Sequence, residues 1–234
     1  MNTVQFAIHR KASFRGALLP YRLYMNGTFI GTLKNGQTLT ASVPQAEVYY
    51  IDVDYPFDRN AVYHDQGVTD VSVVLKRAGG WRTDSYIEFY LDTENELHPL
   101  PSFHFERFAK SVYGDKLDTL DADERVLAVC LEFWNAISES VDEVLASENY
   151  HEILHSLHRI GANQYEQLLE RVSKDLFPGI ELPLTDEQLE QLSGKVDAAN
   201  QMIWKNEKPA SEEFRKAIVD NMLRHLITED NCSF

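Results

Sequence analysis

The stretch YRLYMNGTFIGTLKNGQTL, residues 21–39, decides the fold of the N-terminal part of the chain. Two Asn-Gly pairs, Asn26-Gly27 and Asn35-Gly36, separate short runs in which apolar and polar residues alternate. A type I′ turn needs two residues that tolerate positive φ, so an Asn-Gly pair between such runs predicts a β-hairpin. The stretch therefore predicts consecutive β-strands joined by tight turns.

Further β-rich runs lie on both sides of this stretch, at residues 4–8, 48–55, 71–75 and 86–91. Turn signals at such close spacing predict an antiparallel β-sandwich over residues 1–92. In the second of these runs, Asp52 and Asp54 alternate with Ile51 and Val53. This alternation predicts that both aspartates lie on the outward face of a half-buried sheet.

The hydrophobic period changes after residue 120. Val126, Cys130, Phe133 and Ile137 recur at intervals of three or four residues, an apolar stripe that predicts an amphipathic helix. Three capping boxes are predicted, formed by Asp121 with Glu124, Asn149 with Glu152, and Thr185 with Gln188. We expect the last two helices over residues 189–203 and 214–227, because Pro209 should separate them.

The predicted fold class is therefore α+β with two domains. Residues 1–92 form the β-sandwich domain and residues 121–234 an all-α, acidic helical domain. Residues 93–120 contain Pro99 and Pro101, which favour a linker, followed by Phe103, Phe105 and Phe108. We expect this segment to be a linker whose phenylalanines dock on one of the two domains.

The charge of the chain is unevenly distributed. The formal net charge is −15, of which residues 1–120 contribute −2 and residues 121–234 contribute −13. Phosphates and anionic membranes both require a basic surface, so we expect neither nucleic-acid binding nor membrane binding. Cys130 and Cys232 form no motif, which indicates free thiols in a reducing compartment, and we expect a cytoplasmic protein.

Residues 151–158, HEILHSLH, contain the pattern H-E-x-x-H of zinc-dependent hydrolases. In that interpretation His151 and His155 bind Zn²⁺ and Glu152 is the general base. At about 100° per residue, however, these histidines and His158 lie on the side opposite the apolar residues of the same helix. We therefore expect a solvated helix face with no metal or other cofactor, and a zinc-dependent hydrolase is the alternative hypothesis.

The longer stretch EILHSLHRIGANQYEQLLERVSKDLFPG, residues 152–179, ends one helix with Leu157, Ile160 and Gly161-Ala162 and the next with Phe177-Pro178. Residues 121–230 resemble the acidic helical family that includes a bacterial DNA-mimic protein. The resemblance implies an all-helical domain whose acidic surface imitates DNA and occupies a DNA-binding protein. Residues 20–60 resemble the small β-sandwich repeats named after a Pro-Glu-Gly-Ala signature (PEGA), in which an Asp/Asn-Gly turn precedes a short apolar-Gly stretch.

Two sets of carboxylates on predicted helices are candidates for a binding surface, namely Glu139, Asp142 and Glu143 and, further along, Asp186, Glu187 and Glu190. Carboxylates held in rows on rigid helices present a negative field to a cationic protein surface. We therefore expect a non-enzymatic interaction protein without catalytic residues. Its helical domain would bind a basic protein partner, as a DNA mimic or as an inhibitor.

Overall fold

The computed structural model of the chain describes residues 2–13, 19–54, 59–78, 86–94, 96–105, 108, 117–228 and 231–233. The protein is of the mixed α+β class, with strands in the N-terminal part and helices in the C-terminal part. The chain divides into two compact units. Unit 1 comprises Met1–Phe105 together with Ile227–Phe234, and unit 2 comprises Glu106–Leu226. The predicted α+β class is confirmed.

Unit 1 contains two sheets and a short strand pair. Its strands are β1 (Thr3–Arg10), β2 (Tyr21–Met25), β3 (Thr28–Leu33), β4 (Thr38–Pro44), β5 (Val48–Val53), β6 (Asn60–His64), β7 (Asp70–Ala78), β8 (Tyr86–Thr93), β9 (Glu96–Pro99), β10 (Ser102–Phe103) and β11 (Cys232–Ser233). The five-stranded sheet has the order β4-β1-β7-β8-β9, and the four-stranded sheet has the order β3-β2-β5-β6. The short strand pair is formed by β10 and β11.

The first Asn-Gly pair closes the β2–β3 hairpin, as predicted. The hairpin predicted at Asn35-Gly36 is wrong, because the strands on either side of it, β3 and β4, lie in different sheets. Asn26 has a φ of 48° and Gly27 a φ of 69°, and a two-residue type I′ turn requires positive values at both positions. Met25 pairs with Thr28 across the turn. The side-chain oxygen of Asn26 also accepts a 2.8 Å hydrogen bond from the backbone nitrogen of Tyr50, which fixes the turn to β5.

The prediction of a wholly antiparallel arrangement is wrong for one pair of strands. β1 runs parallel to β7, with Phe6 opposite Val71 and Ile8 opposite Val73. Parallel neighbours cannot be joined by a tight turn and need a long connection. Here the chain passes through β2 to β6 between the two strands. Local turn signals contain no information about such a distant pairing.

Side chains from both sheets share one hydrophobic core. Phe6 of β1 and Val73 of β7 come from the five-stranded sheet, whereas Leu23 of β2 and Ile51 of β5 come from the four-stranded sheet. All four are fully buried. Burying an apolar side chain of this size contributes about 1.5–3 kcal/mol, so this shared core is the main source of stability in unit 1.

The outer face of the four-stranded sheet is covered as well. Asn60 of β6 donates a 3.2 Å hydrogen bond to the carbonyl oxygen of Phe103 and accepts one of 2.8 Å from its backbone nitrogen. The ring of Phe105 lies edge-on to that of Tyr50, with centroids 6.4 Å apart. Asp52 shares this face of the sheet and is fully buried, because the face does not meet solvent there. Asp52 lies on the face opposite the core, as predicted, but the prediction that this face is open to solvent is wrong at Asp52.

The expected linker segment, residues 93–120, contributes strands to unit 1. β9 forms the edge of the five-stranded sheet and β10 pairs with β11 from the C-terminal end of the chain. Pro99 lies on the edge strand, where a missing N–H removes no ladder hydrogen bond. The last residues, Ile227–Phe234, belong to unit 1 and not to the helical unit, in contrast to the expected domain over residues 121–234.

Unit 2 contains six helices after a short 3-10 turn (Leu117–Thr119) in the described part of the chain: α1 (Ala122–Glu139), α2 (Val141–Ala146), α3 (Tyr150–Ile160), α4 (Asn163–Leu176), α5 (Asp186–Gln191) and α6 (Ser193–His225). The predicted capping boxes of Asp121 and Thr185 are both confirmed. The box predicted for Asn149 is wrong, since its side chain makes no capping hydrogen bond. Its amide donates instead to Glu132 over 2.8 Å.

A single helix replaces the two that Pro209 was expected to separate. Pro209 lies inside α6, although a proline in a helix interior costs about 3 kcal/mol. The buried residues Ile203, Ala210 and Phe214 keep helical spacing across the proline. Packing of this apolar stripe against the other helices therefore outweighs the loss of a backbone hydrogen bond.

Aromatic rings hold three helices of unit 2 together. The ring centroid of Phe133 on α1 lies 5.1 Å from that of Tyr165 on α4 and 5.6 Å from that of Phe214 on α6. Trp134, the next residue of α1, stacks on Phe214 with an interplanar angle of 4° and a centroid separation of 5.2 Å. Phe214 is therefore the common partner of α1 and α4 in the core of unit 2.

Candidate acidic interface

The six predicted carboxylates lie on neighbouring elements of unit 2. Glu139 ends α1, Asp142 and Glu143 lie in the first turn of α2, and Asp186, Glu187 and Glu190 lie on α5. α2 contacts both α5 and α6. Asp142 is half-buried and the other five are exposed. The structure thus brings the two predicted sets onto contacting elements, and these six residues are called the acidic surface below.

Hydrogen bonds fix the elements that carry the acidic surface. At the start of α2, the backbone nitrogen of Val141 donates to the side-chain oxygen of Asn200 on α6 over 3.0 Å. The amide nitrogen of Asn200 donates to the hydroxyl of Ser140 over 3.3 Å. Just before α5, the backbone nitrogen of Leu184 donates to the carbonyl oxygen of Leu145 on α2 over 2.8 Å. These bonds hold the backbones of α2 and α5, which carry five of the six carboxylates, in fixed positions.

Other carboxylates of unit 2 are neutralised by cations of the same unit. Arg125 binds both Glu152 and Asp118, and Arg159 binds Asp123. His158 lies 3.0 Å from Glu166. The ion pairs of the two arginines lie outside the acidic surface, so they remove negative charge from other parts of unit 2.

The acidic surface has no such neutralisation. Within the described residues, no Lys, Arg or His side chain forms an ion pair with any of its six members. Asp142 accepts a hydrogen bond from the hydroxyl of Ser140, and Glu187 accepts one of 3.0 Å from Gln191. Both donors are neutral, so neither hydrogen bond offsets the negative charge of the surface.

The H-E-x-x-H helix, α3, presents its histidines to solvent. His151, His155 and His158 are exposed, while Ile153 and Leu157 are fully buried on the other side, as the predicted helical angles require. Across the described ranges, no three His, Cys, Asp or Glu side chains are grouped so that they could hold a metal ion.

Glu152, the base of the alternative zinc interpretation, is bound by Arg125. Its Oε2 accepts a 2.9 Å hydrogen bond from Nη2 of Arg125, and its Oε1 accepts a second from Nε of the same guanidinium. A bidentate guanidinium occupies both carboxylate oxygens and stabilises the ionised form. A general base needs a lone pair directed at a metal-bound water, and Glu152 directs its oxygens at Arg125 instead.

Replacing His151 and His155 together by glutamine should leave the melting temperature within about 2 °C of wild type, because exposed substitutions change stability by about 0.5 kcal/mol or less. The measurement is thermal unfolding combined with zinc analysis of protein purified without a histidine tag. Stoichiometric zinc in the wild type that disappears in this variant would contradict the assignment and favour the hydrolase.

Glu152→Gln should lower the free energy of unfolding by about 1 kcal/mol at neutral pH, the upper range for a partly exposed ion pair. Hydrogen bonding by Arg125 holds the pKa of Glu152 below its ordinary value. Such a carboxylate stabilises the fold above its unfolded pKa of about 4.3, and the stabilisation is lost as the pH falls through the folded value. Denaturation curves at several pH values should therefore converge for wild type and variant as the pH falls below the folded-state pKa of Glu152. A difference that does not change with pH would contradict this account.

Trp204 is a surface residue that the sequence prediction did not identify. Its side chain is 62% exposed and lies on α6. The sequence predicted one helix over residues 189–203 and another over residues 214–227, so Trp204 was not expected to lie in a helix. The helical spacing of Ile203, Ala210 and Phe214 indicates that α6 is continuous. On a continuous helix, Trp204 lies next to this buried stripe.

No protein-family model, curated protein or solved structure matches this chain. The resemblance of residues 121–230 to the DNA-mimic family and that of residues 20–60 to the PEGA repeats therefore remain predictions. In the portion of the chain that the structure describes, no helix combines the length and the apolar character needed to cross a bilayer.

Proposed function

We propose that unit 2 is a non-enzymatic binding module whose acidic surface binds a basic protein, as a DNA mimic or as an inhibitor. The observation that carries the proposal is a set of carboxylates without cationic partners on helices fixed by hydrogen bonds. Residues 121–234 hold 10 Lys/Arg and 23 Asp/Glu, a net charge of −13. The field of this part of the chain therefore attracts cationic surfaces over long range.

Electrostatic complementarity explains how such a surface selects its partner. Like charges in one region repel each other and destabilise the fold, and a cationic partner removes this repulsion when it binds. Complementary charges mainly accelerate encounter and exclude partners of the wrong sign. A protein that binds DNA phosphates has the cationic surface that this selection favours, which supports the DNA-mimic form of the proposal.

We also propose that unit 1 is a separate β-sandwich domain. Its two sheets contribute side chains to one core cluster, and this arrangement is typical of sandwiches. The proposed location is the cytoplasm. Both cysteines are free, and burial raises the pKa of the Cys130 thiol, which keeps it unreactive.

A zinc-dependent hydrolase on α3 is the alternative function, and no contact in the described residues favours it over the proposal. The exposed histidines lack a third ligand in the described ranges, and Glu152 is bound by Arg125. The zinc analysis of the histidine variant described above distinguishes the two functions.

The proposal is tested by capture from an extract of the source cells at low ionic strength, with the immobilised full chain as bait. The expected result is a basic protein that is retained at about 0.05 M salt and released well below 1 M, where the Debye length falls to about 3 Å. Failure to recover any basic protein, or retention that does not depend on salt, would contradict the proposal.

A further inference from the structure

β4 is an edge strand without the features that keep edge strands from pairing with other chains. It ends the five-stranded sheet, and among the described residues no strand pairs with its second side. Its sequence, TLTASVP, contains no charged residue and has its one proline at the last position, and its register with β1 has no bulge. Charges, prolines, bulges and covering segments are the usual protection of an edge, so β4 is an open template for another strand.

The other edges of the two sheets are protected. β9, at the opposite edge of the five-stranded sheet, has a glutamate, a histidine and a proline among its four exposed residues. In the four-stranded sheet, the register of β3 with β2 shifts once, as at a β-bulge. The backbone nitrogen of Val62 on β6 donates to the carbonyl oxygen of Pro101 over 2.8 Å, which covers that edge. Within the described residues of the two sheets, β4 is therefore the edge that remains open.

Backbone hydrogen bonds show which groups of β4 face the open side. Just before β4, the carbonyl oxygen of Gln37 accepts a 2.9 Å hydrogen bond from the nitrogen of Arg10. Just after β4, the nitrogen of Gln45 donates to the carbonyl oxygen of Asn2 over 3.0 Å. Every second residue of an antiparallel strand bonds a given neighbour, so the odd-numbered residues of β4 bond β1 and the even-numbered ones face the open side. The N–H groups on that side are those of Thr38, Thr40 and Ser42.

These backbone groups are complementary to the same groups of a second copy of the chain. With a twofold axis at Thr40, two antiparallel β4 strands exchange hydrogen bonds between both Thr40 residues, and between Thr38 of each copy and Ser42 of the other. The side chains of all three residues are exposed, and pairs of threonine and serine across antiparallel strands stabilise the pairing. Because β4 carries no charge, no like charges face each other across the axis.

The charges at the two ends of β4 favour the antiparallel arrangement. Lys34 lies in the turn before β4, and Lys11 follows β1 at the same end, with both side chains exposed. The exposed Glu47 follows β4 at the other end, where its carbonyl oxygen accepts a 2.9 Å hydrogen bond from the backbone nitrogen of Asp65. An antiparallel pair places the Lys34 end of one copy beside the Glu47 end of the other, so opposite charges meet.

We infer that unit 1 binds a second copy of the chain through β4, with the two β4 strands antiparallel and the two five-stranded sheets joined into one continuous sheet. Strand addition at an exposed edge obtains its affinity from main-chain hydrogen bonds, and β4 offers these groups to itself. One strand pair buries less surface than a permanent dimer interface, so the equilibrium depends on protein concentration. The inference concerns unit 1 and does not rest on the proposed function of unit 2.

Sedimentation velocity of the full chain, in about 0.15 M salt to screen its net charge of −15, measures the association constant. The wild type should change from monomer to dimer as its concentration rises. Thr40→Lys places two ammonium groups opposite each other at the axis and should lower the association constant roughly fivefold. Thr40→Glu should weaken association in the same way. Thr32→Lys is the matched control, because Thr32 is an exposed threonine on the edge strand β3, and it should change nothing.

A mixture of the Thr40→Lys and Thr40→Glu chains tests the pairing itself. Their heterodimer places opposite charges at the axis, so association should return to at least the wild-type level in the mixture only. A wild-type chain that stays monomeric at every concentration would overturn the inference. So would a mixture that associates no better than its separate components, or equal weakening by Thr32→Lys. Unchanged circular dichroism of each variant verifies that these exposed substitutions leave the fold intact.

Discussion

Phe214→Ala is expected to lower the free energy of unfolding of unit 2 by about 3–5 kcal/mol, the range measured for removal of a buried phenylalanine. Phe214 is fully buried, and its ring contacts Phe133, Trp134 and Tyr165. Alanine would leave a cavity among rings from α1, α4 and α6, and the helix backbones cannot close it without breaking the other contacts. The loss is a large part of the stability of a small domain.

Urea unfolding followed by far-ultraviolet circular dichroism measures this loss, because the helices lie in unit 2. Phe29→Ala is the control. The Phe29 ring is 44% exposed, so its removal leaves no buried cavity, and the free energy of unfolding should change by less than about 1 kcal/mol. A loss of less than about 1 kcal/mol in Phe214→Ala would show that the ring cluster does not hold α6 in place.

Neutralising the whole acidic surface is expected to slow association with the captured basic partner by about tenfold to a thousandfold at low salt. The variant, called the neutral-surface variant, replaces the six carboxylates by their amides, E139Q, D142N, E143Q, D186N, E187Q and E190Q. Long-range attraction acts mainly on the encounter of the two proteins, so the dissociation rate should change less than the association rate. The effect should disappear as added salt shortens the Debye length.

A control variant with the same net charge separates the surface from the overall charge. It replaces six exposed carboxylates outside the acidic surface, E47Q, D70N, E94Q, E96Q, E170Q and D175N. Surface plasmon resonance should show nearly wild-type association for the control variant and slow association for the neutral-surface variant. Equal slowing in both variants would mean that only net charge matters, and the assignment of α2 and α5 would then be wrong.

Several local features of the fold were predictable because local residues determine them. The Asn26-Gly27 turn needs positive φ at two adjacent residues, and only a few residue types accept it. The capping boxes of Asp121 and Thr185 likewise depend on residues three positions apart. Asn149 satisfies the same pattern but fails, because the more distant Glu132 and Arg125 bind the two side chains that would form the box.

The errors arise where distant contacts decide the structure. The parallel pairing of β1 with β7 and the burial of Asp52 both depend on segments far away in the sequence. Pro99 and Pro209 were interpreted as breaks, yet an edge strand tolerates the first and a buried apolar stripe maintains the helix around the second. Proline therefore gives a local preference that tertiary packing can override.

The candidate surface was predictable only in part. The six carboxylates follow from charge and helical patterning, but the contact between α2 and α5 depends on Leu184 and Leu145, which carry no distinguishing signal in the sequence. The exposure of Trp204 depended on the continuity of α6. Partner binding through this surface is the central claim of the proposed function.

Carboxylate footprinting of the complex with the captured basic partner tests this claim most directly. Exposed carboxyl groups are coupled to an amine in the free and the bound chain, and labelling of each residue is measured by mass spectrometry. The account predicts that the partner protects Glu139, Glu143, Asp186, Glu187 and Glu190, while Glu170 and Asp175 on α4 are labelled equally in both states. Protection of the α4 residues without protection of those on α2 and α5 would contradict it.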